Sequence, residues 1–136
     1  MRRPIWRHGV FASVLALTLA LVGAASVADA KSKTQKPSLT VSAPASVTNE
    51  SRWSVLATGF SGPYNTVTAA TEKGITSCPS PEHAFNKHTT TVAKQQKFKV
   101  KFSILEIVES PETRTLCVFL YKGGGKYVVK TLHYQI

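Results

Sequence analysis

The sequence predicts an all-β fold, an antiparallel β-sandwich of about seven short strands with one short helical turn. Two observations lead to this prediction. Runs of alternating apolar and polar residues recur along the chain after Pro37, and clusters of Gly, Pro, Ser and Asn separate them. A β-barrel is the competing arrangement, because the same short strands and turns also suit a closed barrel.

Residues 1–30 have the composition of a secretory signal peptide. Three arginines precede an apolar run from about Val10 to Val22, and Ala28-Asp29-Ala30 forms an A-x-A cleavage site. The apolar run is shorter than the roughly 20 residues that a membrane-spanning helix needs. We therefore expect cleavage after Ala30, no membrane span in the mature chain, and a secreted or cell-envelope location.

The mature chain is predicted to consist of a lead-in and one domain. Residues 31–37 are polar and basic without an apolar period, so we expect a flexible segment. Residues 38–136 have the length of a single domain. Loss of the three arginines and Asp29 with the signal peptide lowers the formal net charge from +10 to +8. Such a charge favours solubility and anionic partners.

Four strands are predicted in the first part of the domain, each bounded by turn residues or by a change in composition. They cover Ser38–Ala43, Arg52–Phe60, Asn65–Thr71 and Thr89–Val92.

The strand with the clearest pattern is Lys97–Ile104. A period of two places Phe98, Val100, Phe102 and Ile104 on one face, and Lys97, Lys99 and Lys101 on the other. We expect the apolar face to pack in the core and the lysine face to contact solvent.

The last two strands are predicted to form a hairpin. Arg114–Tyr121 carries β-forming residues on both faces, which is typical of a central strand. Lys122–Lys126 contains three glycines that suit a turn, and Tyr127–Tyr134 returns as the final strand.

The segment Cys78–His88, "CPSPEHAFNKH", interrupts the β pattern. Ser80 and the following proline suit the start of a helix, so one or two helical turns are predicted between Ser80 and Lys87. Cys78 and Cys117 are the only cysteines, and an even number in an exported chain predicts one disulfide.

A metal site is the alternative interpretation of this segment. It would use Cys78, His83 and His88, with Cys117 as a possible fourth ligand, in a Cys-x4-His-x4-His spacing. Common zinc modules instead contain a close Cys-x2-Cys or His-x3-His pair. We therefore predict a disulfide-closed loop with no metal and no cofactor, and keep a small metalloprotein as the less favoured alternative.

The mature chain offers few residues for catalysis. It has no aspartate and no G-x-S-x-G motif, and a disulfide would consume both thiols. The closest group of carboxylates, Glu106, Glu109 and Glu112, lies around a predicted turn. We predict that the protein is not an enzyme, with a small hydrolase using Cys78, His83 and His88 as the alternative.

The strand "TLCVFLY" and the earlier segment "SCPSPEH" are similar to those of a family of small exported immunoglobulin-like proteins from actinobacteria. The resemblance covers most of Leu39–Ile136. It implies an immunoglobulin-like sandwich, a bridge between Cys78 and Cys117, and no assigned activity.

Three features depart from antibody-type domains. The first cysteine follows the third predicted strand instead of lying in the second. Thr115 stands where a tyrosine corner requires Tyr, and Trp53 lies in the second predicted strand, not the third. The prediction is therefore limited to the sandwich architecture.

The basic residues allow two interpretations. Lys97, Lys99 and Lys101 form a row on one strand face, and Lys122 and Lys126 flank the glycine turn. Lysines of this kind serve solubility and protect sheet edges. They are also candidate anion-binding residues for an acidic wall polymer. Specific nucleic-acid binding is not expected, since the aromatic residues of the strand point away from the lysines.

Taken together, these patterns predict a secreted, monomeric, non-catalytic module that binds an anionic cell-envelope polymer or another exported protein. The alternative is a structural or inhibitory subunit of an exported assembly, for which the exposed segment Lys87–Gln96 would be the natural contact.

Overall fold

The computed structural model describes residues 35–136, so the predicted signal peptide and most of the lead-in lie outside the described residues. The described part is an antiparallel β-sandwich with one 3-10 turn, as predicted. Its elements, in chain order, are β1 (Ser38–Ser42), β2 (Arg52–Phe60), β3 (Thr66–Lys73), the 3-10 turn (Pro81–His83), β4 (Lys87–Thr91), β5 (Lys97–Leu105), β6 (Thr113–Tyr121) and β7 (Tyr127–Gln135).

The strands form two sheets. One contains three strands in the order β1-β2-β5, and the other contains four in the order β4-β3-β6-β7, with antiparallel pairing throughout. In constant-type immunoglobulin domains the fourth strand instead joins the sheet of the first two. Here β4 pairs with β3, so the domain has the sandwich architecture with a different distribution of strands.

The segment after β1 leaves its own sheet and reaches the edge of the other. Ser46 forms a parallel bridge with Gln135, and the amide of Val47 donates to the Gln135 carbonyl at 2.9 Å. This contact pairs the C-terminal end of β7. The backbone groups there would otherwise be unpaired, because β7 is an edge strand.

The core lies between the sheets and contains the inward-facing residues of six strands. They are Leu39, Trp53, Val55, Ala57, Val67, Ala69, Val100, Phe102, Ile104, Leu116, Val118, Leu120 and Tyr134. The alternation predicted for β5 is confirmed, since its burial follows the period of two. The central position of β6 is confirmed as well, between β3 and β7.

The predicted disulfide is present between Cys78 and Cys117, with the two Cα atoms 5.8 Å apart. Cys117 and Phe119 belong to a small second cluster, whereas the alternate β6 residues belong to the main core. The bond therefore lies on the outer face of the four-stranded sheet. It fastens the long β3–β4 connection to β6 and does not join the two sheets as the antibody disulfide does.

The structure gives narrower or shifted bounds for two predicted segments. The helical segment is limited to the single 3-10 turn Pro81–His83, because the chain is already extended at Ala84. The segment Lys87–Gln96 is exposed as predicted, and the strand predicted within it at Thr89–Val92 is β4, which covers Lys87–Thr91. Its β-branched threonines pair with β3, so part of this exposed segment is an edge strand.

Candidate anion-binding surface

The three lysines of β5 lie on the solvent side of the three-stranded sheet. Lys97, Lys99 and Lys101 are exposed, and they stand opposite Phe60, Thr58 and Leu56 of β2 in the register. Adjacent lysines of the row are roughly 7 Å apart along the strand, because each residue advances the chain by about 3.3 Å. The row is open to solvent.

The whole outer side of this sheet is basic and rich in hydroxyl groups. We call it the lysine face; its side chains are Ser38, Thr40, Ser42, Arg52, Ser54, Leu56, Thr58, Phe60, Lys97, Lys99, Lys101, Ser103 and Leu105. Arg52 adds a fourth cation, and the face carries no carboxylate. Its charges therefore act on an anionic ligand without an opposing group within the face.

Lys122 and Lys126 lie elsewhere, in the β6–β7 hairpin of the other sheet. Lys97 begins β5 at the same end of the sandwich, and Lys94, in the β4–β5 loop, lies next to Lys122. Close approach of the Lys122 ammonium group, and charge repulsion from it, lower the pKa of Lys94. Lys94 thus extends the predicted set of cations between the hairpin and β5.

Cations collect at one end of the sandwich. The register aligns Ser38 with Phe60 and Lys97, while the loops after β2, β4 and β6 emerge at the same end. We call this the basic end; its lysines are Lys36, Lys94, Lys97, Lys122 and Lys126.

Most of the glutamates lie at the opposite end. Glu50 precedes β2, Glu72 is near the end of β3, and Glu106, Glu109 and Glu112 lie between β5 and β6. The exception, Glu82, lies in the 3-10 turn beside the hairpin glycines. The molecule is therefore electrically polarised along its strands.

A buried ionic network occupies the glutamate-rich end. Tyr134 donates to Glu106 Oε1 at 2.7 Å, and Arg114 Nη1 lies 3.0 Å from Glu106 Oε2. Arg114 Nε also donates to Glu112 at 2.8 Å. Burial of the phenol, followed by its bond to Glu106, raises the pKa of Tyr134 above its ordinary value.

Each charge of this network has a partner, which argues for a structural role. The Glu106 side chain is only 4% exposed and that of Arg114 is 15% exposed. A buried carboxylate is tolerated when it is paired and hydrogen-bonded. Beside the network is a cleft of about 510 Å³ whose lining includes Thr71, Lys87 and His88.

The network was not predicted, although the sequence contains a signal for it. Glu106 follows Phe102 and Ile104 at a spacing of two residues, so it is expected to face the core as they do. Arg114 lies two residues before Leu116 and four before Val118, so it shares their inward-facing side of the strand. Two ionisable residues of opposite charge on inward-facing positions indicate a buried pair.

The residues of the alternative metal site do not form one cluster. Cys78 is bonded to Cys117 and lines one cleft with His83, whose Nδ1 lies 2.8 Å from Ser80 Oγ. His88 lines the separate cleft beside Glu106. Within residues 35–136 there is no group of three or more His, Cys, Asp or Glu side chains arranged to hold a metal ion.

Comparisons with known proteins indicate no family and no function for this chain. No protein-family model matches the chain, and no curated protein sequence matches it. In the part of the chain that the structure describes, no helix has the length and apolar character needed to cross a membrane.

Proposed function

We propose that this protein is a secreted, non-catalytic immunoglobulin-like module that binds an anionic polymer of the cell envelope. The observation that carries the proposal is the arrangement of charge. The lysine face and the basic end are continuous through Lys97, and most carboxylates lie at the far end of the sandwich.

The shape of the lysine face suits an extended polymer. Three neighbouring strands about 4.8 Å apart form a strip, and successive β5 lysines repeat at roughly 7 Å along it. A chain with repeating anionic groups can therefore contact several ammonium groups at once, while the serine and threonine hydroxyls hydrogen-bond to the same groups.

Binding of this kind is predominantly electrostatic. Exposed ion pairs contribute about 0–1 kcal/mol each, so useful affinity requires several of them together. The row of three lysines, Arg52 and the basic end supply that number. We therefore expect binding that weakens with added salt and that shows little dependence on polymer sequence.

The disulfide and the sequence resemblance support the proposed location. A single disulfide in a small chain is typical of an oxidising, extracellular compartment. The resemblance to small exported actinobacterial proteins agrees with the A-x-A motif at residue 30. On this proposal the mature protein is a monomer that needs no cofactor.

A second candidate function is that of a subunit or inhibitor that contacts another exported protein. It is favoured by two large apolar side chains on the surface, Phe85 at 72% exposure and Ile107 at 68%. Phe85 lies two residues before edge strand β4, which can pair with a strand of a partner. The metalloprotein and hydrolase alternatives lose the free thiolate of Cys78 to the disulfide.

The test of the proposed function is retention of the protein on beads that carry a purified anionic wall polymer, with neutral polysaccharide beads for comparison. The variant Lys97→Gln/Lys99→Gln/Lys101→Gln should lose most of its retention. A control removes charge from exposed lysines away from the lysine face and the basic end, in Lys73→Gln/Lys130→Gln. Equal retention of the two variants would refute the proposed role of the lysine face.

A further inference from the structure

The turn of the β6–β7 hairpin contains one glycine that the fold alone does not require. Gly123 and Gly125 adopt φ angles of 59° and 103°, which favour glycine. Gly124 has no such angle, and a Cβ atom added to it would meet nothing within 4 Å. Neither backbone strain nor packing therefore requires the third glycine.

The amide groups of this turn are free to bind a ligand. Within residues 35–136, the N–H groups of Gly123, Gly124 and Gly125 donate to no other backbone group. Gly123 has a left-handed φ and its two neighbours do not. Successive free N–H groups of a turn can point into one concavity, which is an arrangement that binds anions.

Lysines lie next to the glycine turn. Lys122 and Lys126 flank the glycines, and Lys94 approaches Lys122 from the β4–β5 loop. Repulsion between the two ammonium groups lowers the pKa of Lys94. An anion placed between them would relieve it.

We propose that this glycine tip, formed by Lys122–Lys126 with Lys94, is a binding site for a phosphate group. The inference rests on the proposed function and specifies the charged group of the polymer. A tetrahedral phosphate presents oxygens in several directions, so it accepts from the glycine amides and from both ammonium groups together. A planar carboxylate has two oxygens and satisfies fewer of these donors.

One acidic residue opposes the site. Glu82 lines a cleft of about 270 Å³ together with Lys87 and the three glycines. Its carboxylate reduces the positive potential on that side of the glycine tip. Removal of this charge should therefore strengthen phosphate binding, in the direction opposite to removal of a lysine.

The experiment is a titration of the full mature chain with inorganic phosphate at constant ionic strength, followed by the backbone amide resonances in two-dimensional NMR. Saturable shifts of the Gly123, Gly124 and Gly125 amides are expected, with smaller shifts for acetate. Equal responses to acetate and phosphate, or shifts spread evenly over all lysine-bearing surfaces, would overturn the inference.

Variants make the test specific to the glycine tip. Lys94→Gln/Lys122→Gln should weaken phosphate binding by about threefold for each lysine removed, as expected for exposed ion pairs. Lys73→Gln/Lys130→Gln is the charge-matched control and should leave it unchanged. Glu82→Gln should strengthen it. Unchanged phosphate binding in Lys94→Gln/Lys122→Gln would contradict the site.

The polymer-retention experiment and the phosphate titration together separate this inference from the proposed function. If the polymer is retained through the lysine face but phosphate shifts none of the glycine amides, only the phosphate site is wrong. If neither retention nor phosphate shifts occur, the proposed function fails as well.

Discussion

Tyr134 shows how a single residue links the core to the ionic network. Its ring contacts Trp53 with centroids 4.8 Å apart, and its hydroxyl donates to buried Glu106. The phenol is thus held in its neutral form on two sides, by apolar surroundings and by a carboxylate acceptor. The protonated tyrosine is part of the folded structure.

This arrangement predicts a loss of stability at alkaline pH. In the unfolded chain a tyrosine releases its proton near pH 10, whereas the raised pKa of folded Tyr134 keeps the proton bound. The stability that this difference supplies is fully present below about pH 10 and declines as the pH rises further. Tyr134→Phe should flatten this decline and lower the free energy of unfolding at neutral pH by about 1–3 kcal/mol.

Urea unfolding at a series of pH values measures both effects. Tyr127→Phe is a suitable control, because Tyr127 is 37% exposed and lies outside the network. An unchanged alkaline decline in Tyr134→Phe would show that other groups cause it.

Among the elements, β5 separates folding from binding most clearly. Its lysines lie on the solvent side, and Val100, Phe102 and Ile104 are buried. The two faces can therefore be altered independently.

We expect the variant Lys97→Gln/Lys99→Gln/Lys101→Gln to change the free energy of unfolding by no more than about 0.5 kcal/mol. Phe102→Ala should lower it by about 3–5 kcal/mol, because it leaves a cavity in the core. Denaturant titration followed by tryptophan fluorescence compares the two. A large destabilisation by the lysine variant would mean that the row supports the sheet and that its binding data need reinterpretation.

The elements also show what the sequence could and could not predict. The alternation in β5 and the turn residues around β2 predict these strands almost to the residue, because local pattern and burial agree there. Strand β4 was predicted to start at Thr89, but pairing with β3 extends it back to Lys87. Pairing of this kind depends on tertiary contacts that a short polar run does not encode.

The candidate site was predictable only in part for the same reason. The row of Lys97, Lys99 and Lys101 follows from a period of two within one strand. The approach of Lys94 to Lys122 depends on two loops that meet only in the folded sandwich. No local pattern marks such a pair.

For the whole molecule, the disulfide is a major source of stability. It closes a separation of 39 residues between the β3–β4 connection and the central strand β6. By the chain-entropy model such a closure contributes about 4 kcal/mol, which is comparable with the total stability of many small domains.

We therefore expect Cys78→Ser/Cys117→Ser to lower the free energy of unfolding by about 4 kcal/mol. Thiol alkylation of the wild-type protein under denaturing conditions, followed by intact mass, should add no alkyl group before reduction and two after it. Stability that is unchanged in the double variant would show that the β3–β4 connection is held by packing alone.

The polarity of the whole molecule has a consequence for how it meets a charged surface. Five lysines lie at the basic end and five of the six glutamates at or near the other. An anionic matrix should therefore orient the protein with the basic end and the lysine face toward it.

The most direct test of the central claim is the affinity of the mature protein for a soluble anionic wall polymer over a series of NaCl concentrations. Each cation that contacts the polymer adds roughly 0.9 or less to the slope of log affinity against log salt, by analogy with nucleic acids. The account predicts a steep negative slope that becomes shallower by about 2–3 in the variant of Lys97, Lys99 and Lys101 and stays unchanged in the variant of Lys73 and Lys130. Identical slopes for both variants, or affinity that does not depend on salt, would contradict it.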